Sequence, residues 1–416
     1  MHKSTGCIWL IVLLWVGVSC MDLSSFGHDR LDDFMLGKNY TNFNAGSFGN
    51  SLRAVVAKQR EQYDLAEAEP DPWFRSTYRT IVSEVREAVA KYLGAQSRDL
   101  VLVENTSAGV NAVLRSLSAS LPLRHGSSIL TLSTAYPMVP NTLAYLGEEL
   151  GFTSRIVGVE FPFTPDAHKA LVEAVRKEIA AHKDTIKLCI FSHITSVPAV
   201  VLNLTELVPI CQAAGIPVLI DGAHAPGQID IDLTHFESLG VSYYVGNFHK
   251  WMYTAKGTAF LWTTQSRQDL LAPTVISSEF IWDYSSEFLY TGTRDYTAFT
   301  SIPVALDYRQ RLGDAAIKRY MNQLLNWSAD YLTKLWGTEL LVDTTYCAAM
   351  LNIYLPPTCP YGDEFTAALL EREGMYLLSL IAPTNAHLPF TRISMQIYLQ
   401  QSDIIRLGEA VKALCV

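Results

Sequence analysis

Two apolar stretches of this 416-residue chain are followed by side chains that can take part in covalent chemistry. The stretch at 216–220 leads into Asp221, and a second stretch, at 241–246, is followed by Lys250. A lysine amine forms a Schiff base with an aldehyde cofactor, and a carboxylate keeps a pyridine nitrogen protonated so that the ring accepts electrons. The two residues, 29 positions apart, therefore predict a pyridoxal phosphate site, with His224 close by.

Each of these residues has an ordinary explanation when it stands alone. A single aspartate at a strand end is most often a turn or cap residue, and a lysine beside an aromatic side chain usually extends into solvent. Asp221 and Lys250, however, both follow buried-strand patterns, and histidine, asparagine and glycine residues lie around both. This combination favours the catalytic interpretation over the structural one.

The sequence around these residues resembles the class V aminotransferase superfamily of pyridoxal phosphate enzymes. The segments DGAHAPG (221–227) and NFHKW (247–251) are the most specific parts of the resemblance, which runs from about Phe26 to the C-terminus. Within the superfamily the chain is most similar to the isopenicillin N epimerase-like and hercynylcysteine sulfoxide lyase-like branch. The resemblance implies fold type I, pyridoxal 5'-phosphate as cofactor, an amino acid as substrate and a homodimer with a shared active site.

A hydroxyl-rich segment separates a predicted strand at 99–104 from a helix that is predicted to begin near Val110. Its residues Thr106 and Ser107 could simply cap the helix, and the same hydroxyl and N–H groups could bind a phosphate. The resemblance implies the second role. It adds three further residues to the phosphate site, one of them from the partner subunit: Asn247, His249 and, across the dimer interface, Thr293.

Side chains after two other predicted strands are candidates for contacts with the cofactor ring. Tyr136 could stack on a pyridine ring or pack within its own loop, and the resemblance implies stacking. Ser196 matches the family residue that contacts the phenolic oxygen of the cofactor, and Thr195 is nearly as good a candidate. His224 is expected to reach the same oxygen or the Schiff base. His193 is predicted to be a hydrogen-bonded structural residue.

Arg392 and Asn44 are the candidates for substrate binding. Arg392 begins a predicted strand at 392–398 that is otherwise apolar, where an arginine is costly to bury without an anion. A surface arginine at a strand end is the plain alternative, but Arg392 matches the family arginine that binds the substrate carboxylate, for which a planar guanidinium is suited. Asn44 is predicted to contact the substrate beside it. Ala45 stands where the family usually has a histidine, so one contact is expected to differ.

The order of the predicted elements indicates an α/β fold. Strands and helices alternate between residues 99 and 262, and the polar candidates follow the strands, which is typical of a largely parallel central sheet with helices on both faces. We predict three units: an N-terminal arm and helix at 21–68, a large cofactor-binding domain at 69–300 and a smaller C-terminal α+β domain at 301–416.

The composition excludes several classes of protein. With 49% hydrophobic and 18% charged residues, the chain is expected to form a folded enzyme rather than a disordered chain. A net charge of −9 and the lack of a basic cluster argue against nucleic acid as a partner. Because the cysteines lack CxxC spacing, we predict neither a metal site nor a disulfide framework. They are Cys7, Cys20, Cys189, Cys211, Cys347, Cys359 and Cys415, of which Cys189 and Cys211 are predicted core residues.

The first 20 residues leave the cellular compartment open. An apolar run at 7–18 with a basic start is typical of a cleaved signal peptide and is short for a membrane anchor, and a true start at Met21 is the third alternative. Five cysteines after Met21, an odd number, favour a reducing, cytoplasmic compartment. Membrane contact is expected only if residues 1–20 stay attached. Three sequons fit a secreted chain instead: Asn39, Asn203 and Asn326.

Two reactions and one non-catalytic role are compatible with these residues. Expulsion of a sulfur substituent from Cβ gives a C–S lyase, and return of the Cα proton to the opposite face gives an epimerase. The segments at 135–137, 195–204 and 392–403 look closer to lyase-like and cysteine desulfhydrase-like members, so a lyase acting on a cysteine conjugate or its sulfoxide is predicted. Cys347 and Cys359 lie outside the position of a desulfurase persulfide cysteine. A non-catalytic binding protein on the same fold is disfavoured by the intact site.

Overall fold

The computed structural model of the protein describes residues 26–120, 123, 125–280 and 283–415. The segment 1–20, for which a signal peptide, an anchor or an extension upstream of the true start is predicted, lies outside the described residues. Among the helices that are described, none combines the length and the apolar character needed to cross a bilayer.

The regular elements alternate along most of the described chain. The strands are β1 (Thr41–Asn42), β2 (Leu100–Val103), β3 (Ser128–Leu132), β4 (Thr153–Val157), β5 (Ile186–Ser192), β6 (Val218–Asp221), β7 (Val241–Asn247), β8 (Ala259–Thr263), β9 (Met350–Tyr354), β10 (Met375–Tyr376), β11 (Leu380–Ile381) and β12 (Pro389–Ser394). The helices are α1 (Ala45–Phe48), α2 (Arg53–Ala68), α3 (Pro70–Pro72), α4 (Tyr78–Tyr92), α5 (Thr106–Ser120), α6 (Met138–Leu150), α7 (Pro165–His182), α8 (Leu204–Ala213), α9 (Leu233–Leu239), α10 (Tyr284–Leu289), α11 (Thr297–Thr300), α12 (Ile302–Leu312), α13 (Asp314–Trp336), α14 (Asp363–Glu373) and α15 (Gln401–Leu414).

A central sheet with the strand order β2-β8-β7-β6-β5-β3-β4 organises the larger part of the molecule. β8 runs antiparallel to β2 and β7, and the other neighbouring pairs are parallel. Successive residues of one strand enter different apolar cores: Leu219 of β6 packs in one cluster, and Val218 and Ile220 pack in the other. Because both faces of the sheet are covered in this way, the predicted largely parallel α/β fold is confirmed.

A smaller antiparallel sheet, β11-β12-β9, forms the core of the C-terminal part. β12 pairs with β9 so that Arg392 lies opposite Asn352. The N-terminal arm also joins this part, because β1 pairs with β10 through Thr41 and Met375. The predicted C-terminal α+β unit is therefore present and includes a strand of the arm, and the predicted boundaries at 68 and 300 stay predictions.

Three element bounds differ from the sequence-based expectation. The pattern at 51–94 predicts two helices interrupted at 71–75, but the chain stays helical there through α3 and a π-helical turn at 73–77. The prolines of α3 lie in its first turn, where a missing N–H removes no helical hydrogen bond. α5 begins at Thr106, not near Val110, because the Asn105 side chain accepts a hydrogen bond from the backbone N–H of Ala108 (2.9 Å). β12 begins three residues before Arg392.

A disulfide between Cys359 and Cys415 corrects the prediction that the chain has none. The two cysteines lie 56 positions apart in the sequence, and no short spacing motif connects them. The fold brings the end of α15 next to the loop after β9, a proximity that only the tertiary structure reveals. Cys189 and Cys211 are buried core residues with free thiols, as predicted.

The side chain of Arg309 on α12 joins the two loops that carry the predicted catalytic residues. Its Nη1 donates to the carbonyl oxygen of Trp251 (2.9 Å), and its Nη2 donates to the carbonyl oxygen of Gly227 (2.9 Å). Its Nε donates to Asp314 Oδ1 (2.5 Å), so the buried charge is paired and its donors are used. The loop after β6 and the loop after β7 are therefore held together from the C-terminal side.

Replacement of this arginine is expected to destabilise the fold. An Arg309→Met substitution leaves two buried carbonyl groups without their donor and removes the arginine from Asp314, which keeps its ion pair with Lys318. We expect a loss of about 3–5 kcal/mol in the free energy of unfolding. Urea titration followed by tryptophan fluorescence measures it. Arg311→Met on the same helix is the matched control, because its ion pair with Asp307 is exposed and should contribute about 1 kcal/mol or less. Equal losses in the two variants would contradict the assignment.

Candidate active site

A cavity of about 270 Å³ opens where β5, β6 and β7 end. Ser192, Asp221 and Asn247, the last residues of these three neighbouring strands, all line it. Parallel strands bring their carboxyl ends to one edge of a sheet, which is where ligands bind in open α/β folds. The cavity wall contains most of the predicted site residues: Thr106, Ser107, Tyr136, Ser196, Asp221, His224, Asn247, His249 and Lys250.

Lys250 and His224 form the basic corner of the cavity. Lys250 Nζ lies 3.1 Å from His224 Nε2. Burial lowers the pKa of Lys250 to about 8, although the Asp221 carboxylate acts in the opposite direction. Burial, and then the charges of Lys250 and Arg392, lower the pKa of His224 well below its ordinary value. Near neutral pH the imidazole is therefore uncharged, and the amine loses its proton in a mildly alkaline range.

Asp221 is buried at the same end of the cavity. Its Oδ1 accepts a hydrogen bond from the backbone N–H of Ala223 (3.0 Å), which fixes the orientation of the carboxylate. Burial raises the pKa of Asp221, while the Ala223 N–H and the charge of Lys250 act against that rise. A carboxylate in such a place gains stability in its charged form when a protonated nitrogen lies opposite it.

The same cavity also has the features of an anion site. Thr106 is the first residue of α5, and its hydroxyl oxygen is buried without a hydrogen-bond partner among the described residues. Asn247 Oδ1 accepts the backbone N–H of Thr106 (2.9 Å), so Asn247 positions this helix start. An unpaired hydroxyl at the positive end of a helix suits a phosphate. The predicted role of Asn247 thus includes support of Thr106.

His249 also lines the cavity, and its protonation state depends on whether an anion is bound there. Its Nδ1 lies 3.1 Å from the carbonyl oxygen of Thr258, so Nδ1 carries the proton and donates. Nε2 of the neutral ring can then only accept. Burial, followed by the charge of Lys250, lowers the pKa of His249 to about 4. The predicted donation from His249 to a phosphate therefore requires the anion itself to stabilise the imidazolium.

Arg392 and Asn44 are in direct contact just behind the cavity wall. Arg392 Nη2 donates to Asn44 Oδ1 (2.7 Å) and to Ser47 Oγ (3.0 Å), and Nη1 donates to the carbonyl oxygen of Ser196 (2.7 Å). Its Nε is buried without a partner, and among the described residues no carboxylate pairs with it. Burial lowers the pKa of Arg392 to about 10. A buried cation surrounded by neutral oxygens favours an anionic ligand.

The structure also distinguishes between neighbouring candidates in one loop. Thr195 is buried, and its hydroxyl bonds to Pro198 O (2.6 Å) and Val200 N (2.8 Å) within the loop itself. Ser196 is the one of the two that lines the cavity. Tyr136 also lines it with 46% of its surface exposed, so its ring is free to contact a ligand. His193 lies elsewhere and bonds to the hydroxyl of Tyr244 (2.7 Å), as expected of a structural histidine.

Thr293 lies outside this cavity in the single chain. It is exposed, its hydroxyl lies 2.9 Å from that of Tyr290, and it lines a separate surface depression with Arg79 and Glu279. The structure thus brings the other predicted cofactor residues together in one cavity. Thr293 lies at the surface, which is where a residue that binds the cofactor of another subunit would have to lie.

The arm residues Ser47 and Phe48 line the cavity and were not predicted as site residues. They reach the cavity because the N-terminal arm lies close to the loop that carries Lys250. A β-carbon at Gly49 would lie 1.8 Å from the carbonyl oxygen of His249, and Gly49 also has a φ of +69°. Only glycine fits both conditions. The Gly-Ser-Phe-Gly sequence was the signal for this approach, although it did not reveal which loop the arm would meet.

The residues present fit pyridoxal phosphate. An amine, a buried carboxylate and an unpaired hydroxyl at a helix N-terminus line one cavity, and they correspond to the aldehyde, the ring nitrogen and the phosphate of that cofactor.

The chain is similar over most of its length to several known proteins. The L-cysteine desulfhydrase-like protein lolT1 of Epichloe uncinata is 27% identical, with 94% of this chain and 96% of the relative covered. The isopenicillin N epimerase of Streptomyces clavuligerus is also 27% identical, with 91% and 96% covered. Among solved structures, a cysteine desulfurase from Thermococcus onnurineus NA1 has a TM-score of 0.77 at 17% identity, with 94% of this chain and 98% of that chain covered.

A family profile described as aminotransferase class-V matches residues 42–407, which is most of the chain. This match confirms the resemblance noted in the sequence, the predicted fold type I architecture and the predicted cofactor, pyridoxal phosphate. It includes both loops of the cavity and the strand that carries Arg392. The chain belongs to the class-V aminotransferase family.

Proposed function

We propose that this protein is a pyridoxal phosphate-dependent C–S lyase that cleaves cysteine, a cysteine conjugate or its sulfoxide. The observation that carries the proposal is that Lys250, Asp221 and His224 line one cavity and the unpaired cation of Arg392 lies just behind its wall. This arrangement provides a nucleophilic amine, an acid for the ring nitrogen and an anchor for a carboxylate. It suits an amino-acid substrate.

Pyridoxal phosphate supplies an aldehyde that binds an amine covalently and a ring that accepts an electron pair from Cα. Lys250 would be the amine that holds it, and Asp221 would keep its ring nitrogen protonated. Thr106 and Ser107 would bind the phosphate at the start of α5, with His249 beside them, and Asn247 supports that helix start. Ser196 and His224 would contact the phenolic oxygen, and Tyr136 would cover the ring.

The substrate carboxylate binds to Arg392. Nη2 of Arg392 donates to Asn44 Oδ1 and Ser47 Oγ, which are neutral acceptors. A carboxylate oxygen that replaces one of them gains charge–charge attraction with the guanidinium. Asn44 then remains beside the bound substrate, in agreement with its predicted role. Because Ser196 O also accepts from Arg392, the substrate anchor and the cofactor-binding loop hold each other in place.

Lys250 is the base that removes the Cα proton. Its lowered pKa makes the free amine available near neutral pH, and the His224 imidazole is its hydrogen-bond partner at 3.1 Å. After loss of the Cα proton, the bond between Cβ and sulfur breaks and sulfur leaves with the electron pair. For cysteine and one water, the products are pyruvate, ammonia and hydrogen sulfide; a sulfoxide releases a sulfenic acid instead.

The position of the cysteines supports a lyase over a persulfide-forming desulfurase. Among the described residues, Cys189, Cys211 and Cys347 are buried, Cys359 and Cys415 form the disulfide, and none of them lines the cavity. Among the described residues no protein thiol is therefore placed to attack the substrate sulfur, which leaves as a free product. The names of the relatives agree, since lolT1 is a desulfhydrase-like protein.

A product assay tests the reaction. We expect the holoprotein to release pyruvate and ammonia in equal amounts from cysteine, a cysteine S-conjugate or an S-conjugate sulfoxide. Lys250→Ala should reduce this rate by about 10³-fold or more, because the base and the covalent anchor are lost together. Lys256→Ala is the matched control, since this lysine bonds to Gly49 O and Ser51 and does not line the cavity.

Two results would overturn this assignment. Exchange of the Cα proton for deuterium without pyruvate from any of these substrates would identify an epimerase, as in the relative from Streptomyces clavuligerus. Borohydride reduction that attaches the cofactor to a lysine other than Lys250 would remove the basis of the site.

We also propose that the active enzyme is a homodimer in which Thr293 completes the phosphate site of the partner subunit. Thr293 is exposed and remote from its own cavity, while Thr106 Oγ1 in that cavity is without a partner among the described residues. Arg79 and Glu279, which line the depression beside Thr293, form an ion pair whose partners are only about one-third exposed. This depression is the proposed contact region between subunits.

Hybrid dimers test the shared site. Thr293→Val should weaken cofactor binding by about tenfold, the value of one charge-assisted hydrogen bond. In a hybrid of one Thr293→Val chain and one Lys250→Ala chain, purified through two different tags, the site with an intact lysine receives its threonine from the other chain. We expect wild-type cofactor affinity at that site by absorbance titration. Weak binding there would show that Thr293 acts within its own chain, and a monomer in sedimentation would reject the dimer.

The pH dependence of cofactor attachment follows from the lowered pKa of Lys250. Only the neutral amine attacks the aldehyde, and its fraction rises as pH increases through the pKa. We expect the rate of attachment of pyridoxal phosphate to the cofactor-free protein to rise from pH 6 and level off above about 8, measured by absorbance. A rate that continues to rise tenfold per unit up to pH 10 would contradict this prediction.

A further inference from the structure

Trp251 directly contacts the histidine next to the catalytic lysine. Its indole Nε1 donates a hydrogen bond to His224 Nδ1 at 3.4 Å, and both side chains are buried. The other ring nitrogen of His224, Nε2, lies 3.1 Å from Lys250 Nζ. The three side chains thus form one chain of hydrogen bonds that ends at the amine.

The direction of this hydrogen-bond chain follows from the chemistry of its first member. An indole N–H can only donate, so Nδ1 must accept and can carry no proton. A neutral imidazole then has its single proton on Nε2. That proton points to Lys250 Nζ, which accepts it only through a lone pair, and an ammonium group has no lone pair. The arrangement therefore requires a neutral amine.

We propose that Trp251 is a positioning residue that fixes His224 in its Nε2–H tautomer and thereby favours the neutral amine of Lys250, the form that attacks the cofactor aldehyde. The inference rests on the proposed role of Lys250 as the cofactor lysine. It goes beyond that role because it names the group that sets the protonation state of the amine.

The charges around Lys250 show why such a device is needed. Asp221 faces the amine from the end of β6 and favours its protonated form. Arg392 from β12 opposes protonation, and His224 and His249 are uncharged at neutral pH because burial lowers the pKa of both. Burial by itself also lowers the pKa of Lys250, which is the direction proposed for the effect of Trp251. The hydrogen-bond chain adds a specific constraint: protonation of Lys250 must break a hydrogen bond or reverse the tautomer.

Two members of this chain, Trp251 and His224, lie on a supported backbone. The carbonyl oxygen of Trp251 accepts Nη1 of Arg309 (2.9 Å), and the indole packs where a β-carbon at Gly46 would lie 3.3 Å from its Cζ2. The carbonyl oxygen of His224 accepts Nε2 of Gln228 (2.7 Å), and Gln228 Oε1 accepts the N–H of Ala349 (3.0 Å). These contacts fix the backbone from which the indole and the imidazole meet.

A Trp251→Phe substitution tests the inference. Phenylalanine keeps an aromatic ring but loses the N–H, so His224 can carry its proton on Nδ1 and accept from a protonated Lys250. We expect the pH midpoint for acetylation of Lys250 in the cofactor-free protein, followed by peptide mass spectrometry, to rise by about one unit. Below the midpoint this shift is about a tenfold loss in labelling rate. Nitrogen-15 spectra of labelled histidine should show the change of tautomer for His224.

Two controls separate this effect from a general loss of packing. Trp262→Phe removes another buried tryptophan, in β8, and should leave the midpoint of Lys250 unchanged. In a His224→Gln background, the tautomer no longer exists, and Trp251→Phe should cause no further shift.

Three results would overturn the inference. They are an unchanged midpoint in folded Trp251→Phe, an equal shift in Trp262→Phe, or the same shift with and without His224. Failure of the proposed function is distinguishable from these results, because labelling of Lys250 is measured without cofactor or substrate. A shifted midpoint together with borohydride attachment at another lysine would leave the hydrogen-bond chain intact and reject only the catalytic role.

Discussion

The active site depends on the close contact between the loop that follows β6 and the loop that follows β7. A β-carbon at Gly227 would lie 2.5 Å from the carbonyl oxygen of Trp251, so the two backbones touch. Arg309 donates to the carbonyl groups of both residues from one guanidinium. Because Asp221 and Lys250 lie on these same two loops, this contact determines whether an acid and an amine can share one cofactor.

Burial does more than stabilise this region, because it also sets the charges of the reactive groups. It lowers the pKa of Lys250 and leaves the cation of Arg392 in need of an anion. A shifted pKa alone does not identify a catalytic residue, however. Burial also lowers the pKa of His193 to about 3, yet that ring bonds only to Tyr244 away from the cavity. His224 differs because its ring nitrogens face Lys250 and Trp251.

The C-terminal unit contributes to the site through support as well as through Arg392. Asn352 on β9 exchanges two hydrogen bonds with the backbone of Ala199, which stabilises the loop that carries Ser196. Gln228 connects the carbonyl oxygen of His224 to the backbone of Ala349 in the same unit. The C-terminal unit therefore contacts both the loop that carries Ser196 and the loop that carries His224.

The sequence by itself determined the elements and the chemistry that depend on short-range order. The alternation of strands and helices between residues 99 and 262 is as predicted, and a strand pattern followed by Asp221 or Lys250 was sufficient to predict the cofactor. Only the tertiary structure decided that Ser196 rather than Thr195 faces the cavity, that Cys359 meets Cys415, and that Trp251 and Arg309 hold the site. Periodicity and caps act over a few residues, whereas these contacts join segments far apart in the chain, and their geometry exists only once the sheet and the C-terminal unit have packed.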